Sequence, residues 1–154
     1  MSDISVGQPA PAFTVAGPDG DLTLASFSGK ALVLYFYPKD DTPGCTKEAQ
    51  GFSDMAAEFE KAGVALLGVS KDSIASHAKF TKKYGLAFPL GSDPEGATVE
   101  AYGSRVEKSM YGRQYMGIDR STFLIDRTGV LAGVWRKVKV PGHVAEVLKA
   151  AQAL

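Results

Sequence analysis

Two apolar runs, each followed by a segment with helical spacing, constrain the fold of this chain more than any other feature. Residues 31–37 form a continuous apolar and aromatic run that stops at Pro38, and residues 64–70 form a second run. Their length and their β-branched or aromatic content predict buried strands. A helix is predicted between them, with a stop at Gly63, because apolar residues recur every three to four positions on one face. These residues are Ala49, Phe52, Met55, Ala56 and Phe59.

Two further helices are predicted in the middle of the chain. The first covers about residues 73–84 and ends at Gly85, which is a common residue just after a helix. The second is short, with Asp93 as its cap and Pro94 in its first turn, and ends near residues 102–103. From residue 31 to residue 84 the chain therefore has a strand–helix–strand–helix order, and the short helix follows it.

Paired strands and a last helix complete the predicted pattern. Strands are expected at 121–125 and 130–138, joined by a hairpin turn, and a further hairpin is expected around residues 18–20. The last helix has its apolar residues on one side: Val144, Val147, Leu148, Ala151 and Leu154. This order predicts an α/β chain with a mixed central sheet flanked by helices, for which a thioredoxin-like fold is the economical interpretation.

Composition and charge narrow the classes of function. With 154 residues and neither repeats nor linkers, we expect one domain over residues 1–154. Lysine plus arginine and aspartate plus glutamate both number 17, so nucleic acid and membrane surfaces are not expected partners. The apolar runs are too short to cross a bilayer, and the N-terminus resembles no export signal, so we expect a cytoplasmic protein.

Cys45 is the only cysteine, which excludes an intrachain disulfide and any multi-cysteine metal site. Thr42 is a favoured helix N-cap and Pro43 suits the first helical position, so Cys45 is predicted in the first turn of a helix. Unpaired backbone N–H groups and the helix dipole favour an anion there, and a thiolate is the reactive form of cysteine. The alternative is a buried cysteine that packs as a small hydrophobe, which is the commoner role of a lone cysteine.

The segment around Cys45 resembles a known active site. The spacing Pro38-x-x-x-Thr42-x-x-Cys45 matches the signature of the peroxiredoxins, and residues 35–49 closely resemble the bacterioferritin comigratory protein (PrxQ) subfamily. The run RSTFLID at residues 120–126 extends the resemblance. The resemblance implies a thioredoxin-like fold and a thiol peroxidase that uses neither metal nor cofactor.

The resemblance also implies roles for individual residues. Cys45 would attack the O–O bond of hydrogen peroxide or an organic hydroperoxide, with water or an alcohol and a sulfenic acid as products. Arg120 would neutralise the thiolate and hold the peroxide, while the Thr42 hydroxyl and Pro38 shape the pocket. Gly44 and Glu48 are expected to help bind the substrate. Glu48 could orient Arg120 through an ion pair or lie exposed on the helix.

The sequence departs from many PrxQ-like proteins in having no second cysteine. Gln50 occupies the position of a resolving cysteine, and residues 76–84 also lack one. We therefore expect a one-cysteine enzyme, monomeric or weakly dimeric, reduced by an external thiol such as thioredoxin, glutaredoxin or glutathione.

The lone cysteine and the two histidines also admit other roles. A redox-responsive binding or chaperone module is one alternative, whereas a thioredoxin-type disulfide reductase would need a Cys-x-x-Cys pair that is absent here. His77 and His143 are expected to be surface or capping residues.

Overall fold

The computed structural model describes residues 4–154, which form a seven-stranded mixed sheet with helices on both faces and a separate two-stranded hairpin. Residues 1–3 of the predicted domain lie outside the described residues. Seven strands form the sheet in the order β2-β1-β5-β4-β3-β8-β9. The strands are β1 Thr14–Gly17, β2 Gly20–Thr23, β3 Ala31–Phe36, β4 Val64–Ser70, β5 Leu90–Ser92, β8 Ser121–Ile125 and β9 Leu131–Trp135.

The helices connect or follow these strands, and two further strands form a separate hairpin. The helices are α1 Pro43–Asp54, α2 Ala56–Lys61, α3 Ile74–Tyr84, α4 Ala97–Ala101 and α5 His143–Gln152, with a 3-10 helix at Leu24–Phe27. The hairpin consists of β6 Arg105–Met110 and β7 Arg113–Ile118. None of the described helices is long and apolar enough to cross a bilayer.

Strand β3 lies at the centre of the sheet and is buried on both faces, as its continuous apolar run predicts. It pairs in parallel with β4 and antiparallel with β8. Tyr35 faces an apolar cluster that includes Cys45 and Phe52, while Phe36 faces the opposite cluster with Tyr102. Because β3 is held on both sides, the loop that leaves its end starts from a fixed point.

The helix predicted over residues 49–59 is interrupted at Met55. Its N–H contacts the carbonyls of Gly51, Phe52 and Ser53 together, and α2 begins at the next residue. Met55 is 37% exposed, so its predicted place on the buried face was wrong. In a straight helix, Phe52 and Phe59 would lie about 10 Å apart along the axis. With the break at Met55, the two ring centroids lie 5.9 Å apart.

Two predicted boundaries also differ from the structure. Helix α4 begins at Ala97 rather than directly after Asp93, because the Asp93 carbonyl accepts from Gly96 N–H in a tight turn. The Asp93 side chain nevertheless accepts from the N–H of Val99 inside that helix. Strand β9 ends at Trp135 rather than 138, because Lys137 adopts a positive φ of 49°.

Candidate active site

The site is built where β3 ends and α1 begins. Thr42 occupies the N-cap position with extended backbone, and Pro43 is the first helical residue, as predicted. The Thr42 side chain does not cap the helix, however; its hydroxyl donates to the Lys39 carbonyl at 2.8 Å. The first bond of the helix runs from Thr46 N–H to the Thr42 carbonyl, so the N–H groups of Gly44 and Cys45 precede it.

Cys45 is the third residue of α1, and its side chain is nearly enclosed. The residue is 2% exposed, and Arg120 Nη2 donates to its sulfur at 3.2 Å. The cysteine is therefore buried, as the alternative interpretation held, but a guanidinium faces it. A helix N-terminus and an arginine both favour the negative charge of a thiolate.

Arg120 reaches the cysteine because of the sheet register. Ser121 of β8 pairs with Phe36 of β3, so Arg120 lies beside the end of β3 where the active-site loop starts. The Arg120 carbonyl accepts from Val138 N–H at 2.9 Å, which fixes its backbone. Burial alone would lower the pKa of Arg120, but Glu48 and Cys45 raise it above its ordinary value. The guanidinium is a permanent positive charge in this site.

Glu48 holds the other side of the guanidinium. Arg120 Nη1 donates to Glu48 Oε1 at 2.7 Å, and Glu48 is 0% exposed. The predicted pairing of Glu48 with Arg120 is therefore present, and the exposed position considered for Glu48 was wrong. Burial raises the pKa of Glu48 to about 7, against the opposing effect of Arg120.

Gly44 and Pro38 are brought to the same loop with different surroundings. A Cβ atom at Gly44 would lie 3.3 Å from Arg120 Nη2, which is a tight contact. The missing side chain thus leaves room for the guanidinium to approach the sulfur. Pro38 is exposed at the start of the loop, and its part in shaping the pocket stays a prediction.

Comparisons with known proteins decide the family. The sequence pattern of the AhpC/TSA family matches residues 6–134. A putative peroxiredoxin bcp from Coxiella burnetii is 55% identical over 94% of this chain and 97% of its own length. Peroxiredoxin Bcp from Bacillus subtilis is 48% identical over 95% of this chain and 94% of its own length. The chain belongs to the AhpC/TSA family, as a peroxiredoxin of the Bcp (PrxQ) type.

A solved structure agrees with this assignment. The bacterioferritin comigratory protein of Xanthomonas campestris superposes with a TM-score of 0.90 at 45% identity, and the match covers 97% of this chain and 98% of that one. The fold is therefore the thioredoxin-like fold of the peroxiredoxins, as predicted. A peroxiredoxin is a thiol-dependent peroxidase, so this chain is an enzyme that consumes a peroxide and a thiol reductant.

Sequence reasoning missed a polar network that anchors the active-site loop of this peroxiredoxin. Asp40 Oδ1 accepts from the Tyr37 hydroxyl at 2.6 Å, and Oδ2 accepts from the Ser76 hydroxyl at 2.8 Å and lies 2.7 Å from His77 Nδ1. Burial acts to raise the pKa of Asp40, but the bonds from His77, Tyr37 and Ser76 lower it below its ordinary value. Next to it, Asp41 accepts from Lys83 and Tyr84.

Both histidines are buried, so their predicted surface positions were wrong. His77 lies between Asp40 and the Gly91 carbonyl, which is 3.0 Å from Nε2. His143 does begin the last helix, but its Nε2 contacts the Thr122 hydroxyl at 2.8 Å. Their partners come from distant parts of the chain, and single histidines in a sequence carry no sign of such contacts.

Proposed function

We propose that Cys45 is the peroxidatic nucleophile of this enzyme and that it reduces hydrogen peroxide and organic hydroperoxides. The observation that carries the proposal is the 3.2 Å contact between Arg120 Nη2 and the Cys45 sulfur at the start of α1. The structural relative from Xanthomonas campestris is described by its alkyl peroxide reduction activity, which supports organic hydroperoxides as substrates.

In the proposed reaction, Cys45 attacks the peroxide and the surrounding groups stabilise the negative charge that develops. The thiolate forms a bond to one peroxide oxygen, the O–O bond breaks, and the other oxygen leaves as water or an alcohol after it gains a proton. Arg120 and the N–H groups at the start of α1 stabilise the negative charge that develops on the oxygens. The Thr42 hydroxyl donates to Lys39, so its lone pairs are available to accept from the peroxide O–H.

The product of the proposed step is a Cys45 sulfenic acid, which an external thiol must reduce. No other cysteine exists in the chain, so a thioredoxin-like protein, a glutaredoxin or glutathione would form the mixed disulfide. A screen of these reductants under steady peroxide would identify the one that sustains turnover.

The variant Cys45→Ser tests the assignment of the nucleophile. We expect peroxide consumption with an added thiol to fall to the uncatalysed rate, because a serine hydroxyl does not supply a thiolate. Circular dichroism and thermal unfolding would check that the fold is intact. Gln50→Ala, an exposed change on the same helix, should keep full activity. Substantial turnover by folded Cys45→Ser would place the chemistry elsewhere.

A further inference from the structure

Two acidic groups share one cation at this site. Cys45 and Glu48 lie one turn apart on α1, and Arg120 contacts the first through Nη2 at 3.2 Å and the second through Nη1 at 2.7 Å. Two further titratable groups are influenced by this site: Tyr35 by Glu48, Cys45 and Arg120, and His143 by Arg120. A single guanidinium compensates one negative charge, whereas thiolate and carboxylate together would bring two.

Neither of the other two groups supplies a second positive charge. Burial lowers the pKa of His143 below its ordinary value, against an opposing effect of Glu146, and Arg120 lowers it further, so this imidazole is neutral near neutral pH. Burial raises the pKa of Tyr35, with Glu48 and Cys45 adding to the effect, so its hydroxyl keeps its proton. The site therefore holds one excess negative charge whenever Cys45 and Glu48 are both ionised.

The second carboxyl oxygen of Glu48 indicates which of the two acidic groups stays neutral, so that the excess negative charge does not arise. Glu48 Oε2 is buried and has no hydrogen-bond partner among the described residues. An ionised carboxylate spreads its charge over both oxygens, and a buried anionic oxygen without a donor is costly. A neutral carboxyl group leaves only an unpaired hydroxyl there, which costs less.

We propose that Glu48 keeps a proton while Cys45 is a thiolate and gives it to the leaving oxygen when the sulfur is oxidised. The step is then Cys45-S⁻ + Glu48-COOH + ROOH → Cys45-SOH + Glu48-COO⁻ + ROH. The sulfur is oxidised, the peroxide is reduced as its O–O bond breaks, and the net charge of the site stays the same. After the step Arg120 has a single anionic partner. This role rests on the proposed function of Cys45 and adds the source of the proton.

Proton uptake during one turnover tests this role. Reduced enzyme would be mixed with one equivalent of hydrogen peroxide in weak buffer just above neutral pH, with a pH indicator. The sulfenic acid formed would be counted by trapping and mass spectrometry. We expect the wild type to take up few protons from the solvent. Glu48→Gln should take up about one proton more for each sulfenic acid formed. Glu60→Gln, which removes an exposed carboxylate from α2, should match the wild type.

The outcomes separate this role from the proposed function. Equal proton uptake by wild type and Glu48→Gln, with sulfenic acid formed in both, would overturn the role of Glu48 alone. If the wild type forms no sulfenic acid, the nucleophile assignment falls and this role falls with it. A merely orienting Glu48 would change the rate without changing the proton count.

A second measurement needs no substitution at Glu48. In wild-type enzyme with isotope-labelled glutamate, one carboxyl carbon should move from its protonated to its ionised NMR position when Cys45 is oxidised. In Cys45→Ser the same addition of peroxide should move nothing. A Glu48 carboxyl that is ionised in the thiolate enzyme, or still protonated after oxidation, would overturn the role.

Discussion

Arg120 divides its two terminal nitrogens between a sulfur and a carboxyl group, so its shape matters as well as its charge. Nη2 lies 3.2 Å from the Cys45 sulfur and Nη1 lies 2.7 Å from Glu48 Oε1. A planar, forked guanidinium meets two partners in fixed directions, whereas the ammonium of lysine is a point charge on a flexible stem. Gly44 contributes by having no Cβ in the path of Nη2.

Arg120→Met should lower the second-order rate with peroxide by about a hundredfold or more, because a preorganised donor to the developing charge is lost. The thiolate absorbance of Cys45 near neutral pH should fall as well. Arg120→Lys should recover part of the thiolate but less of the rate. Stopped-flow kinetics and ultraviolet titration would measure both effects, with the exposed Arg127→Met as the control. An unchanged rate and titration would remove Arg120 from the site.

Single residues were predictable where a motif records them. Thr42, Cys45 and Arg120 came from the two motifs; Thr42 lies at the N-cap of the helix that carries Cys45, and Arg120 contacts the Cys45 sulfur. The pair of Glu48 with Arg120 was one of two alternatives that the sequence left open. The bond between Asp40 and His77 was not predictable, since it joins residues 37 positions apart. Only the packing of α3 beside the loop makes them neighbours.

At the scale of elements, helix α3 fixes the loop between β3 and α1. Ser76 and His77 in its first turn contact Asp40, and Lys83 and Tyr84 at its end contact Asp41. Asp41 has a positive φ of 58°, which is unusual for a residue with a side chain, and these contacts hold it there. The position of α3 therefore sets the path of the residues that lead to Cys45.

Asp40→Asn should destabilise the fold by about 1–3 kcal/mol. Its amide nitrogen is a donor, and it would face a group that donates to a carboxylate oxygen in the wild type. The folded pKa of Asp40 is lowered, so its stabilisation is present above the unfolded carboxyl pKa and is lost as pH falls through the folded value. The difference in unfolding free energy between wild type and variant should thus shrink on acidification.

Urea unfolding over a pH series would measure that difference. Asp54→Asn, at an exposed position near the end of α1, provides the control and should change little. The peroxide rate of Asp40→Asn should also fall, because the loop that carries Thr42 loses its anchor. If the difference in unfolding free energy between wild type and Asp40→Asn grows as the solution is acidified, the assignment of Asp40 as an ionised anchor is contradicted.

Elements with strong patterns were predicted to within a residue or two, and weakly patterned elements were not. Strands β3 and β4 have the continuous apolar runs that their burial requires, and helix α3 begins after Ser73 and stops at Gly85. The hairpin of β6 and β7 is absent from the prediction, because most of β7 is exposed and no buried face imposes an alternating pattern. The turn between them contains Tyr111 and Gly112, both with positive φ.

In the whole molecule, the order of the strands brings the two parts of the active site to the same end of the sheet, where β3 ends and β8 begins. The loop after β3 supplies residues 38–45, while Arg120 enters from the antiparallel neighbour β8. Helix α1 then places Cys45 and Glu48 over that end of the sheet, and Cys45 belongs to the apolar cluster that includes Val147 and Ala151 of α5. Chemistry at this end of the sheet depends on one thiol, because residues 1–154 contain no other cysteine.

A one-cysteine peroxidase should have a distinct oxidation course. One equivalent of peroxide in the presence of a sulfenic-acid trap should give a singly tagged chain in intact mass spectrometry, with no intrachain disulfide. Excess peroxide without a reductant should carry Cys45 on to the sulfinic acid, since no second thiol of the chain competes with peroxide for the sulfenic acid. An added thiol that serves as reductant should suppress that product in proportion to its concentration. Continued peroxide consumption without any oxidised Cys45 would show that the enzyme's chemistry does not pass through this sulfur.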